Sequence, residues 1–419
     1  MLKFEKQETK GRNTVTALFD AGTFVEKGAF VRRRGEDQPY DAVITGYGSI
    51  NGKLAFAFVQ DSDRKAGALD EIGANKIQKL YEQALRVGAP VIGVFDSAGA
   101  VVYDGASALS AYGRVMAKVS EASGIVPQIA LISGTCTGMA ASIAAMFDLT
   151  VAEGEKVSDL TAVRAENATV AVRALVELLP RNNKDVNAID PTDDPGRPVA
   201  LENGIASLAD NAAVTLLYEG IGPDVTAALT RMGGQTVGLI SLNGKLSVAG
   251  ARKAAHLVSF CDSFSIPVVT LVDSDGTDTT ESGYNLAFGK LAKAYVTATT
   301  AKVTAVIGKA YGAAFTLMGS LSLGADLALA LEGAVISTLA PETAVAFAMN
   351  DRITADKSRA DVEAEWKKTY ASPKAAAESG DIDDVIPEAE LRARIVSALY
   401  MLAEKADGTP DRKHGVPTL

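Results

Sequence analysis

Two glycine-framed loops, Gly134-Thr135-Cys136-Thr137-Gly138 and Gly308-Lys309-Ala310-Tyr311-Gly312, are where this chain could bring backbone N–H groups close to an anion. Each closes a matched series of residues. The first series runs Gly73-x-x-Lys76, Pro90 and Asp96 before its loop; the second runs Gly250-x-x-Lys253, Pro267 and Asp273 before its own. Lys to Pro is fourteen residues in both, Pro to Asp is six, and the framing glycines are four apart. Intervals kept twice imply two copies of one α/β unit, each ending a buried strand in N–H groups able to stabilise an oxyanion. Two such holes in one polypeptide point to a reaction with two enolate-like intermediates.

The donors can be assigned from the loops. In the first copy Gly138 and Met139 open a helical stretch, and the second donor is expected from Ala98-Gly99-Ala100. In the second copy Gly312, Ala313 and Ala314 open the helix, with Asp275-Gly276-Thr277 facing them. Side-chain chemistry is scarce by comparison. The only histidines, His256 and His414, leave little room for a histidine-based hydrolase or a multi-histidine metal site, and no metal is expected. His256 reads as a structural histidine on an amphipathic helix, and Cys136 as small apolar filler with no histidine near it in sequence. Asp96 and Asp273, at matched positions after buried strands, read first as turn or helix caps and second as proton carriers. A base must then come from a substrate or a cofactor.

The elements that carry these loops follow from periodicity. Asn51-Gly52 between two short apolar strands is a hairpin signal, and Ser241-Leu242-Asn243-Gly244-Lys245-Leu246 echoes Ser49-Ile50-Asn51-Gly52-Lys53-Leu54, which predicts a second hairpin at Asn243-Gly244. Amphipathic stretches (75–87 and 252–264) precede the runs APVIGVF and IPVVTLV, apolar on both faces as covered parallel strands are. A second helix and the buried strands IALIS and VTAVI complete each copy. Right-handed crossovers are expected. The Asp-, Asn- and Pro-rich segment 179–199 reads as a linker, the tail 361–405 as helices interrupted at Gly380 and Pro387, and Trp366 as packing. Two domains, 1–205 and 206–419, suit a chain of 419 residues.

Composition narrows the class. Hydrophobic content of 47% with 22% charged residues is that of a folded protein, and a net charge of -10 argues against non-specific nucleic-acid binding. With only Cys136 and Cys261, neither a disulfide framework nor a zinc ribbon is indicated. The charged start MLKFEKQETKGR lacks a secretory signal, and no run of about 18 apolar residues suggests a membrane span, so a cytoplasmic enzyme is expected.

Longer motifs then carry a resemblance. GALDEIGANKI, GAPVIGVFDSAGA, VPQIALISGTCTG, LTRMGGQTVG, CDSFSIPVVTLVDSDG, GKAYGAAFTLMGSLSLGADLALA, SGDIDDVIP and KHGVP are similar to segments of the carboxyltransferase subunits of biotin-dependent acyl-CoA carboxylases and decarboxylases. Those are two-domain members of the crotonase superfamily, so the resemblance implies an α/β chain of two tandem crotonase-like ββα-superhelix domains, the first on the acyl-CoA side and the second on the biotin side. It implies that Ala98, Gly99, Ala100, Gly138 and Met139 surround a thioester oxygen, that Gly67 and Ala68 contact coenzyme A, and that Gly276, Gly312, Ala313 and Ala314 surround the ureido oxygen of biotin. The implied mechanism has carboxybiotin release CO₂ and the biotin enolate take the acyl α-proton, which explains the absent side-chain base. Expected partners are a biotin carboxyl carrier protein, a biotin carboxylase or membrane decarboxylase subunit, and further copies of the chain, with the site at a dimer interface. The sequence departs from many relatives in having Val101 where they carry arginine and Met139 where they carry glycine. An inactive paralogue subunit is the alternative those two positions raise.

Overall fold

The computed structural model describes residues 8–32, 41–154, 161–185, 189–408 and 416; His414 and all of KHGVP except Val416 lie outside the described residues. Compactness divides the chain after Val186, giving one unit to that point and a second from Asn187. The sequence-based boundary at 205/206 falls inside the second unit. Its reason is Arg392, fully buried, whose guanidinium meets Asp193, Asp210, the Asp194 carbonyl and the Leu208 carbonyl. A buried cation needs such partners, so the segment from Asp193 to Asp210 is packed rather than a free linker.

The first unit holds a seven-stranded sheet in sequential order: β1 (Val25–Lys27), β2 (Val43–Ile50), β3 (Lys53–Gln60), β4 (Val91–Ser97), β5 (Gln128–Cys136), β6 (Leu149–Glu153) and β7 (Val163–Ala165). β1 to β3 pair antiparallel, and every later pair is parallel. The β2–β3 turn has Asn51 at φ 48° and Gly52 at φ 79°, the two left-handed residues that match hairpin twist. Its helices are α1 (Lys10–Leu18), α2 (Glu71–Val87), α3 (Ala106–Ala122), α4 (Met139–Ala144) and α5 (Ala168–Leu178). Asp70 caps α2 by accepting from Ile72 and Gly73, and Gly88 in the left-handed region ends it. All seven residues of β4 are buried, as its unbroken apolar run requires. Phe58, Phe95 and Phe147 meet edge-on with centroids 5.6–6.3 Å apart, which anchors the short α4 just before Phe147 onto β3 and β4.

The second unit repeats the plan with β8 (Val214–Leu217), β9 (Val225–Met232), β10 (Gln235–Leu246), β11 (Val268–Thr277), β12 (Lys302–Tyr311), β13 (Leu327–Leu331), β14 (Val335–Ser337) and β15 (Asp384–Ile386). α6 (Val248–Ser263), α7 (Tyr284–Thr297), α8 (Ala313–Leu317), α9 (Pro341–Ala348), α10 (Arg359–Tyr370), α11 (Pro373–Glu378) and α12 (Leu391–Met401) complete it. The tail is helical with breaks at Gly380 and Pro387, as the sequence indicates.

The second hairpin is not where the echo of Asn51-Gly52 places it. Met232 pairs with Gln235 across Gly233 and Gly234, at φ 57° and 81°, while Asn243 and Gly244 lie inside β10 at a register shift. Gly-Gly supplies the same pair of positive φ values as Asn-Gly, so geometry is kept where identity is not. Among the described residues no helix is long and apolar enough to cross a membrane.

Candidate active site

In each unit two adjacent parallel strands end side by side: Ser97 of β4 lies opposite Cys136 of β5, and Ser274 of β11 lies opposite Ala310 of β12. The strands run on through the first glycine of each loop, and the reason is the neighbouring aspartate. A Cβ built on Gly134 would fall inside the Asp96 carboxylate, and one on Gly308 inside that of Asp273. Asp96 Oδ1 accepts from Thr135 N–H at 2.9 Å, and Asp273 Oδ1 from Lys309 N–H at 2.8 Å. These carboxylates brace the neighbouring strand; neither caps a helix. Burial alone would raise the Asp96 pKa, but hydrogen bonds from Lys10, Ser62 and the Thr135 N–H outweigh it and hold the group below its ordinary value. Asp96 therefore stays ionised at neutral pH and is a poor proton donor.

Beyond the brace the two backbones coincide. Gly99 and Gly276 both sit at φ 116°. Gly138 has φ 56° and ψ −129°, and Gly312 has φ 56° and ψ −139°. Such combinations are open only to glycine. Ser97 Oγ accepts from Gly99 N–H at 3.2 Å, and Ser274 Oγ from Gly276 N–H at 3.1 Å, so each serine ties the turn that follows its aspartate.

Those ties change the donor assignment. Ala98 N–H donates to the Ala66 carbonyl at 2.9 Å, Gly99 N–H to Ser97, and Gly312 N–H to the Ser337 carbonyl at 2.9 Å. Ala98, Gly99, Gly276 and Gly312 therefore shape the turns and do not offer their own amides. Among the described residues, Ala100, Gly138 and Met139 in the first unit, and Ala313 and Ala314 in the second, have N–H groups with no acceptor. Gly67, at φ 67°, packs its α-carbon against the Asp96 carbonyl so tightly that no Cβ fits, and Leu69 N–H donates to the Gly99 carbonyl at 2.9 Å. The turn carrying Gly67 and Ala68 is thus the support of the Ala98–Ala100 loop.

The surroundings differ. A Cβ on Gly99 or Gly138 would meet nothing within 4 Å, whereas Gly312 lies under the Thr338 carbonyl. Met139 is 36% exposed and leaves that space open. Beside Gly312 is a cavity of about 630 Å³ walled by Phe315, Ile336, Ser337 and Tyr370. Trp366 fixes that wall, donating its Nε1–H to Ser337 Oγ at 3.3 Å and stacking on Tyr370 at 4.9 Å. Sequence reasoning assigned Trp366 to packing and overlooked Ser97 and Ser274, although Asp-Ser recurs in both copies.

The remaining candidates lie elsewhere or are inert. Burial pushes the Cys136 thiol up to about 11, which leaves it protonated and non-nucleophilic. His256 Nε2 is 2.9 Å from the Tyr218 hydroxyl, on α6 and not on either glycine turn. No cluster of three or more metal-ligating side chains is present among the described residues.

Known proteins are similar to this chain over nearly its whole length. The carboxyl transferase domain pattern matches residues 6–156 and 152–417. The propionyl-CoA carboxylase carboxyltransferase subunit of Haloferax mediterranei is 31% identical, over 98% of this chain and 93% of its own. The methylmalonyl-CoA decarboxylase subunit alpha of Propionigenium modestum is 33% identical, over 99% and 94%. The solved transcarboxylase 12S, described as a hexamer, superposes with a TM-score of 0.89 at 30% identity, over 98% of this chain and 92% of its own. Duplicated glycine turns, sequentially ordered, largely parallel sheets and full-length similarity agree that the chain belongs to the carboxyl transferase family, acyl-CoA-handling enzymes of crotonase-like fold.

Proposed function

We propose that this protein is the carboxyltransferase component of a biotin-dependent acyl-CoA carboxylase or decarboxylase, with a three-carbon acyl group as substrate. The observation that carries the reading is the repeated backbone: Gly138 and Gly312 adopt one conformation, and each leaves unpartnered N–H groups at the start of the next helix. The first unit receives the thioester, whose oxygen takes the Ala100 and Met139 amides as charge develops on it. Gly99 and Gly138, with open space where side chains would be, admit the acyl group to within hydrogen-bond reach. The second unit receives biotin, whose ureido oxygen takes Ala313 and Ala314 N–H, while Phe315, Tyr370 and Ile336 supply apolar walls for the rings. That donor and wall set fits the group. Biotin, when bound on its carrier, supplies the carboxyl in transit and the base for the α-proton, chemistry that no side chain beside either turn supplies. The protein's own part is to hold amides where negative charge appears and to keep Asp96 ionised as a brace.

The substrate size rests on relatives named for propionyl-CoA and methylmalonyl-CoA, and an oligomer of this chain on the hexameric relative. Incubating the purified protein with methylmalonyl-CoA and either a biotinylated carrier domain or free biotin should give biotin-dependent release of CO₂ and propionyl-CoA. A folded sample that releases neither CO₂ nor the decarboxylated acyl-CoA, propionyl-CoA from methylmalonyl-CoA or acetyl-CoA from malonyl-CoA, overturns the proposal. Val101 and Met139 favour a second reading, a non-catalytic subunit paired with an active paralogue. Co-purification with a complete carboxyltransferase, together with failure to bind coenzyme A, would establish it.

A further inference from the structure

The duplication extends to a second pair of depressions, away from the glycine turns, and there the copies have diverged. In the first unit, α2 and the strands β1 to β3 enclose a cavity of about 360 Å³; in the second, α6 and the turn after β8 border one of about 300 Å³. The positions correspond one to one. Ile72 and Ala249 are each the second residue of their helix, and Lys76 matches Lys253 and Lys79 matches His256 at the same spacing. Gly28 follows β1, and its carbonyl accepts from Val31 N–H at 3.1 Å; Tyr218 follows β8, and its carbonyl accepts from Ile221 N–H at 3.0 Å. Both residues have positive φ, 66° and 55°. For glycine that conformation costs little; for a tyrosine it is strained and must be held by its surroundings.

In the second unit Tyr218 is so held. Its ring packs edge-on against His256 at 5.5 Å, and its hydroxyl bonds the imidazole at 2.9 Å. In the first unit the same place carries only the hydrogen of Gly28, where a Cβ would already meet Val31 and Lys76 at 3.3–3.4 Å, and the cavity lies beside it. Its floor is apolar, made by Phe56, Ile72 and Leu80. Its mouth is cationic. Among the described residues Lys27 donates to the neutral Gln83 amide at 2.8 Å and has no carboxylate partner, and exposed Lys79 has none either. Lys76, buried at the back, is held by the Val43 carbonyl and faces Asp41, so the charge available to a ligand is that of the two outer amines.

We propose that this cavity binds a small amphiphilic anion, an apolar body of roughly ten heavy atoms ending in a carboxylate or sulfonate, at a site separate from the glycine turns. The apolar body lies on Phe56, Ile72 and Leu80, and the acid group meets Lys27 and Lys79 at the rim. The second copy offers a different surface, because the hydrogen-bonded Tyr218 and His256 side chains line its depression where the first copy has Gly28 and Lys79.

The test uses the full-length protein in its native assembly, with 8-anilinonaphthalene-1-sulfonate followed by fluorescence and decanoate by equilibrium dialysis. Saturable binding of one probe per chain is expected, and Lys27→Glu with Lys79→Glu should weaken it by about tenfold or more while leaving the melting temperature unchanged. Gly28→Tyr, which copies the second unit, should abolish it, and Tyr218→Gly should add a second, weaker site. Absence of saturable binding, indifference to both charge reversals, or displacement of the probe by equimolar coenzyme A would each overturn the proposal. Enzymatic activity does not enter the readout, so the outcome is independent of the carboxyltransferase reading.

Discussion

The glycine turns of the two units share their dihedral angles, their serine tie and their aspartate brace, yet they face different surroundings. In the first unit Gly99 and Gly138 border open space, and the brace is reinforced by Lys10 from α1 and by Ser62. In the second, Gly312 lies beneath the Thr338 carbonyl, and an aromatic wall of Phe315, Trp366 and Tyr370 rises beside it. On the proposed function, duplication has preserved the amides that would stabilise charge and altered the walls that would choose the molecule bearing it. Backbone amides are indifferent to whether an oxygen belongs to a thioester or a ureido ring; walls are not.

Removing one amide from each turn probes that division most strongly. Met139→Pro and Ala313→Pro each place proline at the first position of a helix, where its fixed φ is accepted and only the N–H is lost. Each should lower kcat for carboxyl transfer by about 10²–10³-fold, with the circular dichroism melt unchanged. Equal losses at the two sites would support paired holes; loss at one alone would show that the other copy only shapes the fold. Next in size are the braces. Gly134→Ala and Gly308→Ala drive a methyl group into Asp96 and Asp273 and should destabilise their own unit by about 3 kcal/mol in urea titration. The double change Asp96→Ala with Gly134→Ala should recover part of that, since the clash and the group it meets are removed together.

A smaller contrast comes from pH. Asp148 accepts from Gln128 N–H at 2.8 Å, and its counterpart Asp326 accepts from Lys302 N–H at 2.8 Å but also pairs with Lys405 at 2.9 Å. Burial without a cation pushes Asp148 up to about 7 from 3.8. A raised folded value means that its contribution to stability is full below about pH 4 and is lost as pH rises through 7. The first unit should therefore weaken across that interval, and Asp148→Asn should flatten its profile while leaving that of the second unit as it was. The least effect is expected from Ser97→Ala and Ser274→Ala. Ser97→Ala removes the hydroxyl that ties Gly99 and accepts from Gln60 Nε2, and Ser274→Ala the one that ties Gly276 and donates to the Gly244 carbonyl; each bond is worth about 1 kcal/mol, and a loss of activity of roughly tenfold or less should accompany either change.

What the sequence disclosed about the site is what backbone conformation demands of residue type. Gly99, Gly138, Gly276 and Gly312 are glycines because no side chain tolerates their dihedral angles, and the spacing from Lys76 to Asp96 and from Lys253 to Asp273 records helix and strand lengths. Which amides are engaged was not legible, because the acceptors Ala66 and Ser337 come from segments that nothing in the loop sequences marks. The hairpin at Gly233-Gly234 was misplaced for a related reason. Two positive φ values can be met by Gly-Gly as well as by Asn-Gly, and the more conspicuous dipeptide lay within β10. The correspondence of Gly28 with Tyr218 was hidden because the segments leading to β1 and β8 share no motif.

Arg392 also has a bearing on how the chain reaches its final state. Asp210, with which it pairs, is separated from it by 182 residues, so on a ribosome that carboxylate is made long before its cation. Until α12 is synthesised and docks, Asp210 lacks the charge that its packed surroundings call for, whereas Asp193 already has Arg197 beside it, and the Gly233 and Gly234 amides are what hold the Asp210 carboxylate in place. The nascent first unit, compact in itself up to Val186, can close while the second is still being translated.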